Sequence, residues 1–229
     1  MKSIAFSIVF ACALSLLVGC ASSGNAEQKS GWTTLFDGSS TEAFRAYKKE
    51  SFPNNSWKIE NGTLKTIPGK DGVDIITKDE FQDFELSLEW KISPGGNSGV
   101  IYRVTEDFDR SWNTGPEMQV LDDTKHNDGK NPKTSAGALY ALIPPTNKTL
   151  KPVGEWNQAR LVIKNNHVEH WLNGSKVVEY QWGSPEVQKL IAESKFKDQP
   201  RFARNNSGHI VLQHHHDEVW YRNVKIRRL

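Results

Sequence analysis

The stretch Phe84–Ile92, FELSLEWKI, alternates apolar and polar residues over nine positions without a break. In an extended chain the side chains at i and i+2 share a face, so Phe84, Leu86, Leu88, Trp90 and Ile92 form one apolar stripe. Glu85, Ser87, Glu89 and Lys91 form a polar stripe on the other face. An apolar stripe of this length must be buried against a second layer. The rest of the chain supplies strands for that layer. SWKIENGTLKTI predicts two short strands about Asn61-Gly62, and VEHWLNGSKVVEY two more about Asn173-Gly174. Asn-Gly accepts positive φ at both central positions of a tight hairpin turn. ARLVIKNNHVEHW adds a hairpin at Asn165-Asn166, and GHIVLQHHHDEVWYRNVKIRRL supplies two closing strands. A single short helix is predicted, capped by Ser184 and begun by Pro185, with Val187, Leu190 and Ile191 on one side. Many short strands, tight turns and one peripheral helix predict an all-β antiparallel sandwich.

Such a domain must stand on its core. The chain has two cysteines, Cys12 and Cys20. Both fall in an N-terminal segment that reads as a lipoprotein signal: Lys2, an apolar run from Ile4 to Val18, then LVGC. This lipobox-like ending predicts cleavage after residue 19 and acylation of Cys20. The domain organisation expected is therefore a signal peptide over 1–19, a lipidated Cys20 with a small polar tether over 20–30, and the sandwich over 31–229. The predicted location is the cell envelope, facing the periplasm and most simply on the outer membrane, held to the membrane by the lipid alone. No thiol then remains in the domain for a disulfide, a zinc site or a nucleophile. The formal charge of +2 falls to +1 without Lys2, and the basic residues are scattered among acidic ones. Nucleic acid is not an expected partner. The five Asn-x-Ser/Thr sequences read as turn chemistry.

Long irregular segments interrupt the strands at 106–116, 122–135 and 144–154, and loops of this length in a compact domain commonly carry function. Between the first two lies GPEMQVLDD. On that strand Glu117 and Gln119 point together while Met118 and Val120 point into the core. On a concave face the polar pair would handle a sugar; on a convex face it would be solvated. Sandwich glucanases place Glu-x-Asp-x-x-Glu on such a strand. Here the spacing reads Glu117-x-Gln119-x-x-Asp122, so the paired-carboxylate chemistry of an endo-glucanase is not expected.

A second cluster lies in LQHHHDEVW, where Gln213 and His215 share one strand face and His214 and His216 the other. A histidine suits proton transfer near neutral pH, and two at i and i+2 can bind a metal if a third ligand is found. In NSGVIYRV, Asn97-Ser98-Gly99 leaves room for close approach, and Arg103 offers a forked donor set to sugar oxygens or pairs with a neighbouring carboxylate. Tyr140, after the small residues of SAGA, is placed to flank a sugar. Trp57, Trp90 and Trp171 sit in strand patterns and read as core, whereas Trp112, in a loop, is the better stacking platform. His126 shares a loop with Asp122, Asp123 and Asp128.

GWTTLFDGSS, FELSLEWKISPGGNSGVIYR, GPEMQVLDD, AGALYALIPP, GEWNQARLVIKNNHVEHWLNG and GHIVLQHHHDEVWYRNVKI, taken in order, resemble the bacterial 3-keto-disaccharide hydrolase family over nearly all of residues 31–229. The resemblance implies a concanavalin A-like jelly roll similar to the laminarinases. It also implies a substrate already oxidised at C3 by a partner sugar 3-oxidoreductase. A ketone there acidifies the C2 hydrogen, so a base can remove it, the enolate can expel the C1 substituent, and water can add to the enone. On that reading Glu117 and His215 transfer protons, and Arg103, Gln119 and Gln213 bind substrate, with Gln119 as a neutral hydrogen-bond donor. Tyr140, Trp112, Asp122 and His126 complete the expected sugar contacts. Arg103 or a bound divalent metal ion is the expected electrophile. The family commonly closes with Leu-Gln-Asp-His-Gly, where this chain has Leu212-Gln213-His214-His215-His216, so His215 keeps the histidine position while His214 replaces Asp and His216 replaces Gly. A non-catalytic carbohydrate-binding module of the same shape is the alternative.

Overall fold

A computed structural model describes Met1 and residues 31–69 and 72–229. The predicted signal peptide, the acylated Cys20 and the tether lie outside the described residues. Residues Gly31–Leu229 form one compact unit. Among the described residues no helix is long and apolar enough to cross a membrane.

Two antiparallel sheets make the unit. The larger has eight strands, in the order β11 (Ser175–Gln181), β10 (His167–Leu172), β9 (Asn157–Lys164), β6 (Phe84–Ile92), β13 (Val219–Arg228), β4 (Thr63–Thr66) and β3 (Trp57–Glu60), with β1 (Thr33–Phe36) also paired to β13. The smaller has five, in the order β2 (Phe44–Ala46), β5 (Ile75–Thr77), β12 (His209–Leu212), β7 (Asn97–Val104) and β8 (Glu117–Leu121). The core lies between them. Leu86, Leu88 and Trp90 of the larger sheet and Val100, Tyr102, Met118 and Val120 of the smaller belong to one buried cluster.

The hairpin turns form where their asparagines allow them. Asn61 and Gly62 take φ of 49° and 70°, Asn173 and Gly174 of 48° and 84°, and Asn165 and Asn166 of 50° and 64°. These are the left-handed pairs whose twist matches the strands they join. The helix, α1 (Pro185–Ala192), starts where expected, with the Ser184 side chain accepting from the Val187 N–H. Trp57 and Trp90 are core residues, but Trp171 is half-buried on the outside of the larger sheet, 4.0 Å from the Arg160 guanidinium.

One polar group sits inside the core with its bonds satisfied. His170 Nδ1 donates to the Gly137 carbonyl at 3.1 Å, which leaves Nε2 to accept from the Tyr102 hydroxyl at 2.8 Å. Burial lowers the His170 pKa to about 4, so the ring is neutral and serves as a structural tie between the sheets.

The two sheets differ in what covers their outer faces. β10 alternates buried and half-buried residues, whereas every residue of β7 and β8 is buried. The long segments after β7, β8 and α1 lie over the smaller sheet. A strand face that reads as half-polar in sequence is thereby enclosed, and this creates the cavity described next.

Candidate active site

The floor of the cavity is the outer face of β7 and β8. Gly99 pairs with Gln119 across the ladder and Ile101 with Glu117. The Glu117 side chain lies over the bare backbone of Gly99: a methyl group at residue 99 would overlap the Glu117 Oε1 atom. Glycine is needed here for close approach. Gln213 continues the floor past the end of β12. Its N–H donates to the Gly99 carbonyl at 3.0 Å, and its own carbonyl accepts from the Ser98 hydroxyl at 2.7 Å.

Three walls rise from separate segments. Tyr140 is set beside Glu117 by its N–H, which donates to the Glu117 carbonyl at 3.0 Å, and its hydroxyl donates to Asp128 Oδ2 at 3.1 Å. Trp112 stands on a short 3-10 turn, Ser111–Asn113, and is 36% exposed. Lys195 and Phe196 follow α1. Phe196 stacks on Phe202 with centroids 3.8 Å apart, and the Ala203 N–H donates to the Thr114 carbonyl, so this segment is anchored to the domain. Together with Asn97, Glu117, Gln119, Gln213 and His215 these residues enclose about 230 Å³.

Glu117 is 7% exposed, and among the described residues its carboxylate accepts no hydrogen bond. Burial pushes its pKa up to about 8; Lys195 opposes that rise, while Asp74 and Asp128 add to it. Lys195 itself is lowered by burial against the opposing pull of Glu117 and Asp128, and its ammonium lies 4.2 Å from the centre of the Tyr140 ring. A carboxyl kept largely protonated at pH 7, beside a partly desolvated amine, is a perturbed pair of the kind that marks reaction centres.

The structure brings six of the expected site residues together: Glu117, Gln119, Gln213, His215, Tyr140 and Trp112. One detail of Gln119 changes. Its Nε2 donates to the Thr134 carbonyl at 3.1 Å, and among the described residues its buried Oε1 has no partner, as is also true of Asn97 Oδ1. The free atom of Gln119 is thus an acceptor, suited to receive a sugar hydroxyl, rather than the donor expected. His215 is half exposed, with Asp217 Oδ2 at 3.8 Å from Nδ1. A carboxylate neighbour of the histidine is therefore supplied one position after the triplet, although His214 stands where the family has Asp.

Arg103 does not reach the cavity. It is fully buried at φ 53° with its guanidinium 4.6 Å from the Trp182 ring. Nη1 donates to Asn166 Oδ1 and Nη2 to the Gln82 carbonyl, both at 3.2 Å. The pairing of β12 with β7 shifts register between His209 and Val211, opposite Val104 and Ile101. That irregularity breaks the alternation that would otherwise put Arg103 on the same face as Gly99. Asp122 does not line the cavity either. Its Oδ2 accepts from the Gly95 N–H and its Oδ1 from the Thr124 N–H and hydroxyl, which makes it the clasp of the β8 exit. His126 sits at the outer edge, its Nδ1 accepting from the Asp128 N–H and its ring 6.1 Å from that of His215.

The histidine triplet keeps its alternation beyond the end of β12. Gln213 and His215 face the cavity, while His214 packs edge-on against Trp57. His214 Nδ1 accepts from the His216 N–H and Nε2 donates to the Ile67 carbonyl, so it has no nitrogen left for a metal. Within the cavity one carboxylate and one imidazole fall short of the three protein ligands of a catalytic zinc. The group His167, Glu169 and Glu179 has metal-like spacing, but it lies on the larger sheet and Lys176 already bridges both glutamates. The residues present do not fit a catalytic zinc.

Asn97, Lys195 and Phe196 escaped the sequence reading as cavity residues. Asn97 carried a weak signal in its small-residue run. Lys195 carried none, since it follows a helix expected to be peripheral.

Residues 31–227 match the family described as the 3-keto-alpha-glucoside-1,2-lyase-like domain. A 3-keto-disaccharide hydrolase of Bacteroides thetaiotaomicron is 34% identical, covering 87% of this chain and 79% of that protein. A candidate glycosyl hydrolase of Parabacteroides distasonis, known from its crystal structure, superposes with a TM-score of 0.80 at 31% identity, over 87% of this chain and 94% of its own. A galectin-like protein of Bacillus subtilis, at TM-score 0.55 and 11% identity over 86% of this chain and 94% of its own, shares the sandwich alone. The identity to a hydrolase over most of the chain sets aside the reading as a non-catalytic binding module. Sequence, cavity and relatives converge: this chain belongs to the 3-keto-disaccharide hydrolase family and is a carbohydrate hydrolase.

Proposed function

We propose that the protein cleaves 3-keto-glycosides by elimination followed by addition of water, with Glu117 as the base at C2. The observation that carries this reading is a single buried carboxylate, without a hydrogen bond and raised to about 8, in a cavity whose lining holds no second one among the described residues. Direct displacement at an acetal centre needs two carboxylates. Elimination next to a ketone needs one base, one proton donor and one stabiliser of the enolate oxygen.

Glu117 takes the C2 proton, and the C–H electrons form the enolate of the C3 ketone. Lys195, the fixed cation in the cavity wall, stands in for Arg103 as the charge that stabilises the enolate oxygen. As the enolate collapses, the C1–O bond breaks, a C1–C2 double bond forms, and His215 gives a proton to the departing oxygen. Water then adds its oxygen to C1, and C2 regains a proton. The family description names a lyase and the Bacteroides relative a hydrolase. The proposed sequence accommodates both names, as elimination alone and as elimination followed by addition of water.

Turnover of a 3-keto disaccharide in deuterated water is the direct test. Elimination and addition leave deuterium at C2 of the released 3-keto sugar. Product formed at the full rate with protium retained at C2 would sink the mechanism.

Two further parts of the reading come from the sequence. A sugar 3-oxidoreductase supplies the substrate, because the ketone must exist before C2 is acidic. Acylated Cys20 holds the enzyme at the envelope, facing the periplasm and most simply on the outer membrane. Radiolabelled palmitate should enter the wild-type protein in cells and be absent from Cys20→Ser; equal labelling of both counts against the anchor.

A further inference from the structure

A second cavity of about 430 Å³ lies beside the first. Trp112, Gln213 and His215 line both, so the two hollows share one ridge. Glu117 lines only the first. Arg110 and Asp109 line only the second, where they offer a guanidinium and a carboxylate to a polyhydroxylated ligand.

The ridge is held from below by one buried carboxylate. Asp74 Oδ2 accepts from the Ser111 hydroxyl at 2.6 Å, which fixes the turn carrying Trp112. Asp74 Oδ1 accepts from the His214 N–H at 2.9 Å, which fixes the segment carrying Gln213 and His215. Two pieces of chain more than a hundred residues apart are thereby tied to the same side chain, and neither wall of the ridge moves alone.

We infer that the second cavity is the subsite for the leaving group, and that it takes a sugar. The inference rests on the elimination reading above, which sets the 3-keto ring over Glu117. Its C1 substituent must then depart past a proton donor. His215 is the titratable side chain common to both hollows, so the scissile oxygen lies at the ridge and the leaving group beyond it. The indole of Trp112 gives the leaving sugar an apolar edge to rest on, and Arg110 and Asp109 meet its hydroxyls. Arg110, Asp109 and Trp112 are thus the residues that favour a sugar over a small alcohol as the leaving group.

The test compares kcat/KM for a 3-keto disaccharide with that for the methyl 3-keto-glycoside of the same anomeric configuration. The expected result is a wild-type ratio well above one. In Arg110→Ala that ratio falls by about tenfold, the loss typical of a hydrogen bond to a charged group. Arg110 is exposed, so the variant should fold; an unchanged thermal transition checks this. Asp109→Ala provides a second variant with a smaller drop in the same ratio. A ratio near one in the wild type, or a ratio untouched by both substitutions, overturns the subsite while leaving the elimination reading intact. Absence of turnover with either substrate overturns the elimination reading, and the subsite with it.

Discussion

The outer faces of the two sheets carry glutamates in similar strand patterns and treat them in opposite ways. On the larger sheet Glu89 accepts from Arg222 and Asn223, Glu85 from Arg160 and Arg227, and Glu169 from Trp171 and Lys176. Although partial burial opposes it, the bonds from Asn223 and Arg222 hold the Glu89 carboxyl below its ordinary range. Glu169 is lowered in the same manner by Trp171 and Lys176. On the smaller sheet Glu117 is roofed by loops, has no such donors and is pushed up to about 8. A carboxylate given partners becomes part of the scaffold, whereas one deprived of both water and partners becomes a base.

The largest effect is expected from removing the unpartnered member. Glu117→Gln should lower kcat by about a hundredfold to ten-thousandfold, the contribution of a general base. The same change should stabilise the fold. The folded pKa near 8 lies above the ordinary glutamate value of 4.5, so the native state holds a proton that the unfolded chain releases. Wild-type stability therefore falls as pH rises from about 4.5 to 8 and is level above that. Thermal melts of the two proteins should coincide near pH 4 and diverge up to pH 8. The gap should be a few kcal/mol, given about 1.4 kcal/mol per unit. Coincident melts at pH 9 would erase the contrast between the faces.

Next in size is Gly99→Ala, which displaces the carboxylate from its seat on the backbone. A loss of about a hundredfold in kcat is expected, with about 1–3 kcal/mol of stability for the overpacked floor. Full activity would mean that Glu117 does not work from this position.

Smaller in rate but sharper in diagnosis is Lys195→Met. The reaction needs Glu117 ionised and a second group protonated, so wild-type kcat/KM should be bell-shaped, with the limb near pH 8 set by Glu117. Lys195 favours the ionised form of Glu117, so its loss should move that limb to higher pH and lower the maximum about tenfold. A limb left in place by Lys195→Met would show that it does not report Glu117. The smallest effect belongs to the paired face: Glu89→Gln should cost under about 1 kcal/mol in denaturant titrations, as for other half-exposed ion pairs, and leave kcat/KM unchanged.

The contrast between the faces also explains how far the sequence could be read. The sandwich was legible because Asn61-Gly62, Asn165-Asn166 and Asn173-Gly174 mark turns by local backbone chemistry, and FELSLEWKI marks a strand by period. The pairing of Glu117 with Gln119 followed from the same period. Which face would be roofed did not follow in full, because one wall of the roof comes from a segment far away in the chain. Lys195 sits 78 residues beyond Glu117 and entered the site through the Phe196–Phe202 stack. Arg103 misled for a local reason: alternation was extended through a register shift that periodicity does not reveal.

The bare backbone at Gly99 separates two tasks that many enzymes mix. Because residue 99 leaves room for the carboxylate and nothing else, this point of the floor offers no side chain whose exchange would alter which sugar fits. Choice among substrates falls instead to Trp112 and Tyr140, each borne by a different loop. A lineage could therefore retune its diet by drift in those loops while the reaction centre stays fixed, and an engineer could do the same.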